Sequence, residues 1–338
     1  MTTVHHEPES NDASIEELLR EVGARNEPSP ETARDVMSAV HAEWRDIVQQ
    51  RRKQQRVVAW RIAAGLVLAV LVTTFAYRFM APEPAQVASV AYVDGHLLAS
   101  AGSAAPEART SGQFIRVGDT VQTDTQSRAA FTFAHGLSLR LDHDTRLTVD
   151  AIDRITLASG AVYIDAPPAE RGQGDALIVN TFAGSVQHVG TQYEVRAQAN
   201  AMLVSVREGR VLLTSATSSN TGEAGQVLHL NTEGELTRSM LSATDPYWRW
   251  TLQAAPTFDI ENQSLSDFLQ WIARETGRHV TYSTPQAEAA AASVKLRGSI
   301  AGLDPDAALA AVLSTTQFRR YQTDASEIGI ELATGDSQ

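Results

Sequence analysis

Apolar residues recur along this chain with three different spacings, and each spacing predicts a different kind of structure. In SIEELLREVG, residues 14–23, Ile15, Leu18, Leu19 and Val22 fall on one helical face, Ser14 and Glu17 form a capping box, and Gly23 supplies the stop. A second helix opens at Ser29 with Pro30 in its first position, and Val36, Met37, Val40, Trp44, Ile47 and Val48 continue the stripe. From Val57 to Phe79 the polar face disappears. Those 23 residues predict a single membrane-spanning helix, about 35 Å long against a hydrocarbon core of about 30 Å.

Beyond Ala81-Pro82-Glu83-Pro84 the spacing falls to two. Phe131-Thr-Phe133, Leu137-Ser-Leu139-Arg-Leu141, Leu147-Thr-Val149, Ile155-Thr-Leu157 and Val162-Tyr-Ile164 alternate apolar and polar positions. Turns are expected at His135-Gly136, Ser159-Gly160 and Glu208-Gly209. Short strands at regular spacing predict an all-β domain over residues 88–241, either a sandwich or a solenoid. From residue 256 the helical spacing returns between strand-like runs. Phe258–Ile260 leads to Ser264 as N-cap, with Asp267 three residues on; Leu265, Phe268, Leu269 and Ile272 share a face, Gly277 ends the helix, and His279–Tyr282 is a strand. A second unit runs from a strand at Val294–Ile300 through a cap at Asp304-Pro305 and a helix carrying Ala308, Leu309, Val312 and Leu313. Strands at Phe318–Gln322 and Ile328–Leu332 complete it. The expected fold class is thus multidomain: a short α-helical segment (1–56), one transmembrane helix (57–79), a linker (80–87), the all-β domain (88–241), a join (242–255), an α+β domain of two βαβ repeats (256–333) and a tail (334–338).

Charge orients this arrangement. Arg51, Arg52, Lys53 and Arg56 precede the apolar run, and only Arg78 lies between its end and Arg109, so the positive-inside rule puts the N-terminus in the cytoplasm and the later domains outside, in the periplasm of an inner-membrane protein. The absence of cysteine fits export. A formal net charge of −12 argues against nucleic acid as a direct partner. Residues 1–46 hold eleven acidic and four basic residues, and two helices are too few to bury their own stripe. Leu18, Leu19, Val36, Val40 and Trp44 are therefore candidate anchors for a partner with a basic surface, the alternative being a self-contained hairpin.

No constellation for catalysis, metal or cofactor emerges: there is no P-loop, no G-x-S-x-G and no cysteine. Asp142-His143-Asp144 alternates between strand faces and reads as a solvated turn, and His5-His6 belongs to a polar tail. Trp248 and Trp250, around Arg249 in the join, pack the two outer domains together or form a partner site. Gly190-Thr191 has two readings. A threonine hydroxyl lies near the preceding carbonyl carbon, so a twisted Gly–Thr peptide can undergo acyl transfer and hydrolysis, a single-turnover self-cleavage; otherwise the glycine marks a bulge at which a strand continues.

VGDTVQTDTQSRAAFTFAHGLSLRLDHDTRLTV (117–149), ITLASGAVYI (155–164), LIVNTFAGSVQHVGTQYEVR (177–196), LVSVREGRVLL (203–213) and AGQVLHL (224–230) together resemble the ferric-citrate regulator (FecR) family of single-span anti-sigma factors. FDIENQSLSDFLQWIARETGRHVTY followed by VKLRGSIAGLDPDAALAAVL resembles the short N-terminal (STN) module of secretins and TonB-dependent transporters. The resemblance implies that the N-terminal helices hold an extracytoplasmic-function sigma factor, and that the later domains sense an outer-membrane TonB-dependent transporter or another envelope protein. It also implies that some relatives are cut at a Gly-Thr pair in this strand context. The longer, tryptophan-rich N-terminal domain of better-known members is not found here, so an envelope scaffold or secretion-associated adaptor without sigma binding stands as the alternative.

Overall fold

The computed structural model describes residues 17, 20, 29–31, 34–39, 60–75, 84–133, 136–166 and 176–333. They fall into two compact units, one within residues 1–82 and one from residue 83 onward.

In the first unit residues 34–39 and 60–75 are helical, and Val36 is 58% exposed. Leu18, Leu19, Val40 and Trp44 lie outside the described residues. The expected transmembrane helix is corrected here. Among the described residues no helix is long and apolar enough to cross a membrane. In the helix at 60–75 the unbroken apolar run, 62–72, is 11 residues, a length more typical of a core or interfacial segment than of a span. Arg61 precedes that run, and the hydroxyls of Thr73 and Thr74 after it donate to the carbonyls of Ala69 and Val70. The single-pass inner-membrane placement, which rested on that helix, falls with it.

The second unit is mainly β. One layer is ordered β3 (Glu107–Arg109), β2 (Leu97–Ala101), β5 (Asp119–Thr123), β8 (Arg146–Ala151), the first part of β9 (Arg154–Asp165), β10 (Ile178–Asn180), the first part of β11 (Ser185–Gln198), the second part of β12 (Ala201–Thr214) and β13 (Ser219–Glu223). The other is ordered β4 (Phe114–Arg116), β1 (Gln86–Asp94), β6 (Arg128–Phe133), β7 (Ser138–Leu141), the rest of β9, the rest of β11, the start of β12, β14 (Gln226–Asn231) and β15 (Leu236–Met240). Among the described residues, the pairs within these two layers are antiparallel except β9 with β10. Leu147, Ile155, Val186 and Val211 from the first layer share one buried cluster with Phe131, Leu139, Val162, Tyr193 and Val204 from the second.

Three strands belong to both layers, and each changes layer at a glycine with positive φ: Gly160 (85°), Gly190 (60°) and Gly209 (76°). The expected turns at Ser159-Gly160 and Glu208-Gly209 are therefore corners inside long strands. Glycine supplies the positive φ that lets a strand bend without ending.

The chain then forms a 3-10 turn (Pro246–Trp248), a short helix α1 (Arg249–Gln253), α2 (Leu265–Thr276), β16 (His279–Tyr282), α3 (Pro285–Ser293), α4 (Pro305–Ser314), β17 (Phe318–Tyr321) and β18 (Glu327–Leu332). Ser264 and Asp267 make the capping box on α2, and Gly277 ends it with φ 68°. Strands β16, β18 and β17 form a separate sheet in that order. The expected pair of βαβ repeats is incomplete. Phe258–Ile260 is not a strand, and Val294–Ile300 contributes a single bridge, Lys295 to Ser264. The apolar residues of both segments turn inward all the same: Ile260, Leu296 and Ile300 join the cluster under α2 and α4.

Candidate functional site

Side chains alternate across a strand, so a sheet with one face on a core usually turns its other face to water. The second layer does not. Leu139, Val162, Val195 and Val204 face the common core, while Arg140, Tyr163, Glu194 and Ser205 stand on the opposite face, neighbours in register across β7, β9, β11 and β12. All four are buried, at 3%, 1%, 0% and 1% exposure. A charged, aromatic platform has been taken out of water, and residues 242–277 cover it.

The cover is built from hydrogen-bonded contacts. Both Arg140 Nη atoms donate to the Glu275 carboxylate of α2 at 2.7 Å, and Nη1 also donates to the Thr251 carbonyl at 2.9 Å. The guanidinium lies 5.6 Å from the Tyr163 ring centroid. Burial alone would lower the Arg140 pKa, but the charge and hydrogen bonds of Glu275 more than reverse this, so the guanidinium stays charged. Burial, chiefly, pushes the Tyr163 hydroxyl up to about 12. Trp248 and Trp250 meet Tyr163 edge-on at 5.9 and 6.4 Å, geometries that suit the aromatic quadrupole.

Glu194 anchors the other half. It accepts from Trp250 Nε1 at 2.8 Å, from Arg196 Nε at 2.9 Å and from the Tyr247 hydroxyl. Arg196 continues to Asp142, which also pairs with Arg128. Asp142 is 3% exposed, so the Asp142-His143-Asp144 turn is present but its first carboxylate is engaged inward and not solvated. Arg274 of α2 pairs with Asp165 and donates to the Ala166 carbonyl, while its own carbonyl accepts from Gln192 Nε2 at 3.2 Å. Arg207 donates to the Ala243 carbonyl at 2.8 Å and lies 5.3 Å from the Trp248 ring centroid.

Trp248 and Trp250, 2% and 8% exposed, are spent on this packing and present no partner surface. Gly190-Thr191 lies in β11 where the pairing with β12 shifts, between Val189 and Gln192. The structure thus brings the Gly-Thr pair and the tryptophans to one strand: Gln192 and Glu194, immediately after the pair, are held by Arg274 and Trp250. Sequence reasoning did not find Arg140, Tyr163, Glu194 or Glu275. Each occupies an ordinary polar or amphipathic position, and nothing local marks the face as covered.

Residues 119–212, from β5 to β12, match the family model described as FecR protein. The chain therefore carries a FecR segment, as the sequence resemblance has it, and the platform strands and all three corners lie within it. The matched segment does not take in residues 256–333. No curated protein matches. Two crystal structures of "a putative anti-sigma factor from Parabacteroides distasonis" are similar at 19% identity and a TM-score of 0.34. One covers 64% of this chain and 99% of its own, the other 62% and 97%.

Proposed function

We propose that this FecR-segment protein is a sigma-factor regulator, with the N-terminal segment holding an extracytoplasmic-function sigma factor and the second unit receiving the controlling signal. The family match over residues 119–212 carries the reading. The acidic N-terminal segment with its apolar stripe supports it, because the negative balance and the stripe predicted from sequence suit a basic protein partner. Residues 256–333, which resemble STN modules, are the proposed receiving module.

Tagged full-length protein, purified from its own host, should carry a small sigma factor. Leu18→Glu with Leu19→Glu should abolish that capture by removing anchors worth about 1.5–3 kcal/mol each when fully buried. Recovery of secretion components with no sigma factor would replace this reading with the adaptor one.

A second proposal concerns β11. The Gly190–Thr191 bond undergoes one-turnover self-cleavage, the threonine hydroxyl attacking the glycine carbonyl. The positive φ of Gly190 within the shifted corner supports this, since glycine without a Cβ leaves that carbonyl open to approach. Freshly denatured protein, prepared with proteases excluded, should run as two pieces, the second beginning at Thr191, and Thr191→Ala should run as one. A single intact wild-type band removes the proposal and leaves the regulatory reading in place.

A further inference from the structure

Buried polar side-chain atoms nearly always find a partner, and an orphan in a native fold calls for an explanation. Among the described residues five such atoms lack a partner, and three of them belong to His188 (Nδ1 and Nε2) and Tyr193 (Oη). His188 is 9% exposed and Tyr193 0%. In a regular strand residues five apart point to opposite faces, yet these two rings meet, with centroids 6.0 Å apart. The corner of β11 brings them together. Gly190 has a φ of 60°, and between Val189 and Gln192 three steps of β11 lie against two of β12.

No charge shares this interior with the imidazole. On β12 Val211 stands opposite His188, and the charged residues nearby, Arg210 opposite Val189 and Glu208 opposite Gln192, are exposed. On the other side β10 (Ile178–Asn180) carries no titratable residue, and on β9 Asp165, opposite Gln192, is paired with Arg274. The core-facing residues of the second layer, among them Phe131, Leu139 and Val162, are apolar. Among the described residues the buried charged side chains are Asp119, Arg140, Asp142, Glu194, Arg207 and Glu275, and each has its partner elsewhere. Burial therefore holds the His188 pKa below its ordinary value with no charge contributing. An uncharged ring suits these surroundings, whereas a protonated one would be a buried charge with neither water nor a counterion.

We infer that His188 is an acid-sensing switch: its protonation opens the corner of β11, residues 188–192, to water while the two β layers stay folded. The inference depends on neither sigma binding nor strand cleavage. Gly190 supplies the hinge, because a residue without a Cβ moves between backbone conformations at little cost. Opening displaces Gln192, whose amide donates to the Arg274 carbonyl of α2 at 3.2 Å, so acid is felt at α2 through one named contact. The closed corner excludes the proton and the open one accepts it. Opening is thus insensitive to pH above about 6.5 and gains about tenfold for each pH unit below that, until the folded pKa is reached.

Hydrogen exchange of the full-length protein, read by mass spectrometry and corrected for the intrinsic pH dependence of exchange, tests the switch. Between about pH 7.5 and pH 5.5, peptides covering residues 186–195 should gain about five- to tenfold in exchange rate. Peptides from β6 and β8 should keep their protection. His188→Gln and His188→Leu, which cannot take up the proton, should each remove the gain. Independently of any variant, the His188 ring resonance of the wild-type protein should titrate below the ordinary value near 6.5. A ring that titrates at or above that value overturns the switch, as does a corner whose corrected exchange ignores pH or a gain that His188→Gln retains. Loss of protection in all peptides together would mean global unfolding and would overturn the local opening.

Discussion

The Arg140–Glu275 pair offers the sharpest energetic test of the covered platform. Its side chains are 3% and 6% exposed, with N–O distances of 2.7 Å. Glu275→Ala would leave the guanidinium with only the Thr251 carbonyl and the face of Tyr163. Its Nε already lacks a partner. Removing one member of a buried pair costs about 3–5 kcal/mol, because the remaining charge has lost both water and its counterion. Arg319–Glu331 is the control. It lies on the surface with side chains 58% and 28% exposed, and Glu331→Ala should cost no more than about 1 kcal/mol.

Urea unfolding of the full-length protein, followed by tryptophan fluorescence, reads both variants, and Trp248 and Trp250 report directly on the joint. The double replacement Arg140→Met with Glu275→Leu should recover most of the loss, since apolar residues of similar volume replace a buried pair at little net cost. If Glu275→Ala costs less than about 1 kcal/mol, water reaches Arg140 and the platform is not sealed. If the double replacement is as damaging as the single one, the loss comes from packing and not from stranded charge.

His188 should impose a pH dependence on stability. Its folded pKa lies below the ordinary value near 6.5, so the native state binds fewer protons than the unfolded chain; stability is then fully present above about pH 6.5 and declines as pH falls toward the folded value. Thermal melts from pH 8 to 5 should show this fall, and His188→Gln should flatten it. Gly277→Ala should destabilise by more than about 1 kcal/mol, because a Cβ there would sit 2.2 Å from the Ala243 carbonyl oxygen at a backbone φ of 68°; a wild-type melting temperature would show that the two segments are not in contact. Ser264→Ala should cost about 1 kcal/mol through loss of the cap on α2, measured by the same melts.

Period-two alternation located β6, β7, β8 and β9 because one face of each packs on the common core, which is the condition under which alternation carries information. The same signal is silent about what happens on the other face. Arg140 and Glu194 sit where solvent-facing residues normally sit, and only a segment more than fifty residues later in the chain than Glu194 takes them out of water. Glycine was legible as a break but not as the kind of break. Ser159-Gly160 and Glu208-Gly209 read as chain reversals, yet a positive φ serves equally well to bend a strand that continues, and partners on both sides decide which occurs. The capping box on α2 was legible because all of its atoms lie within four residues. Helix α3 was not: its alanine run carries no amphipathic stripe, and only Thr284 and Pro285, acting as cap and first residue, mark its start. The apolar stretch at 57–79 was misread because composition was counted over the whole run, whereas its uninterrupted apolar part is about half as long.

The joint also determines how a signal arriving at the C-terminal region would be felt at β11. Helix α2 holds the platform at two places through adjacent residues, Glu275 on Arg140 and Arg274 on Asp165. The Arg274 carbonyl reaches Gln192, and α1 reaches Glu194 through Trp250. Gln192 and Glu194 lie just after Gly190-Thr191, where the register with β12 shifts. A partner that displaces α2 must break or drag these bonds, and they act on the strand just past that corner. A ligand can shift an equilibrium only through contacts that differ between the two states. Here the contacts that would differ are named: Arg140–Glu275, Asp165–Arg274, Gln192 with the Arg274 carbonyl, and Glu194–Trp250. If the chain is cut at Gly190–Thr191, the first piece keeps Arg140, Tyr163 and Asp165 while the second keeps Glu194, Trp250, Arg274 and Glu275. The buried Arg140–Glu275 pair and the half-buried Asp165–Arg274 pair then bridge the cut, and the same side chains that cover the platform hold the two pieces together.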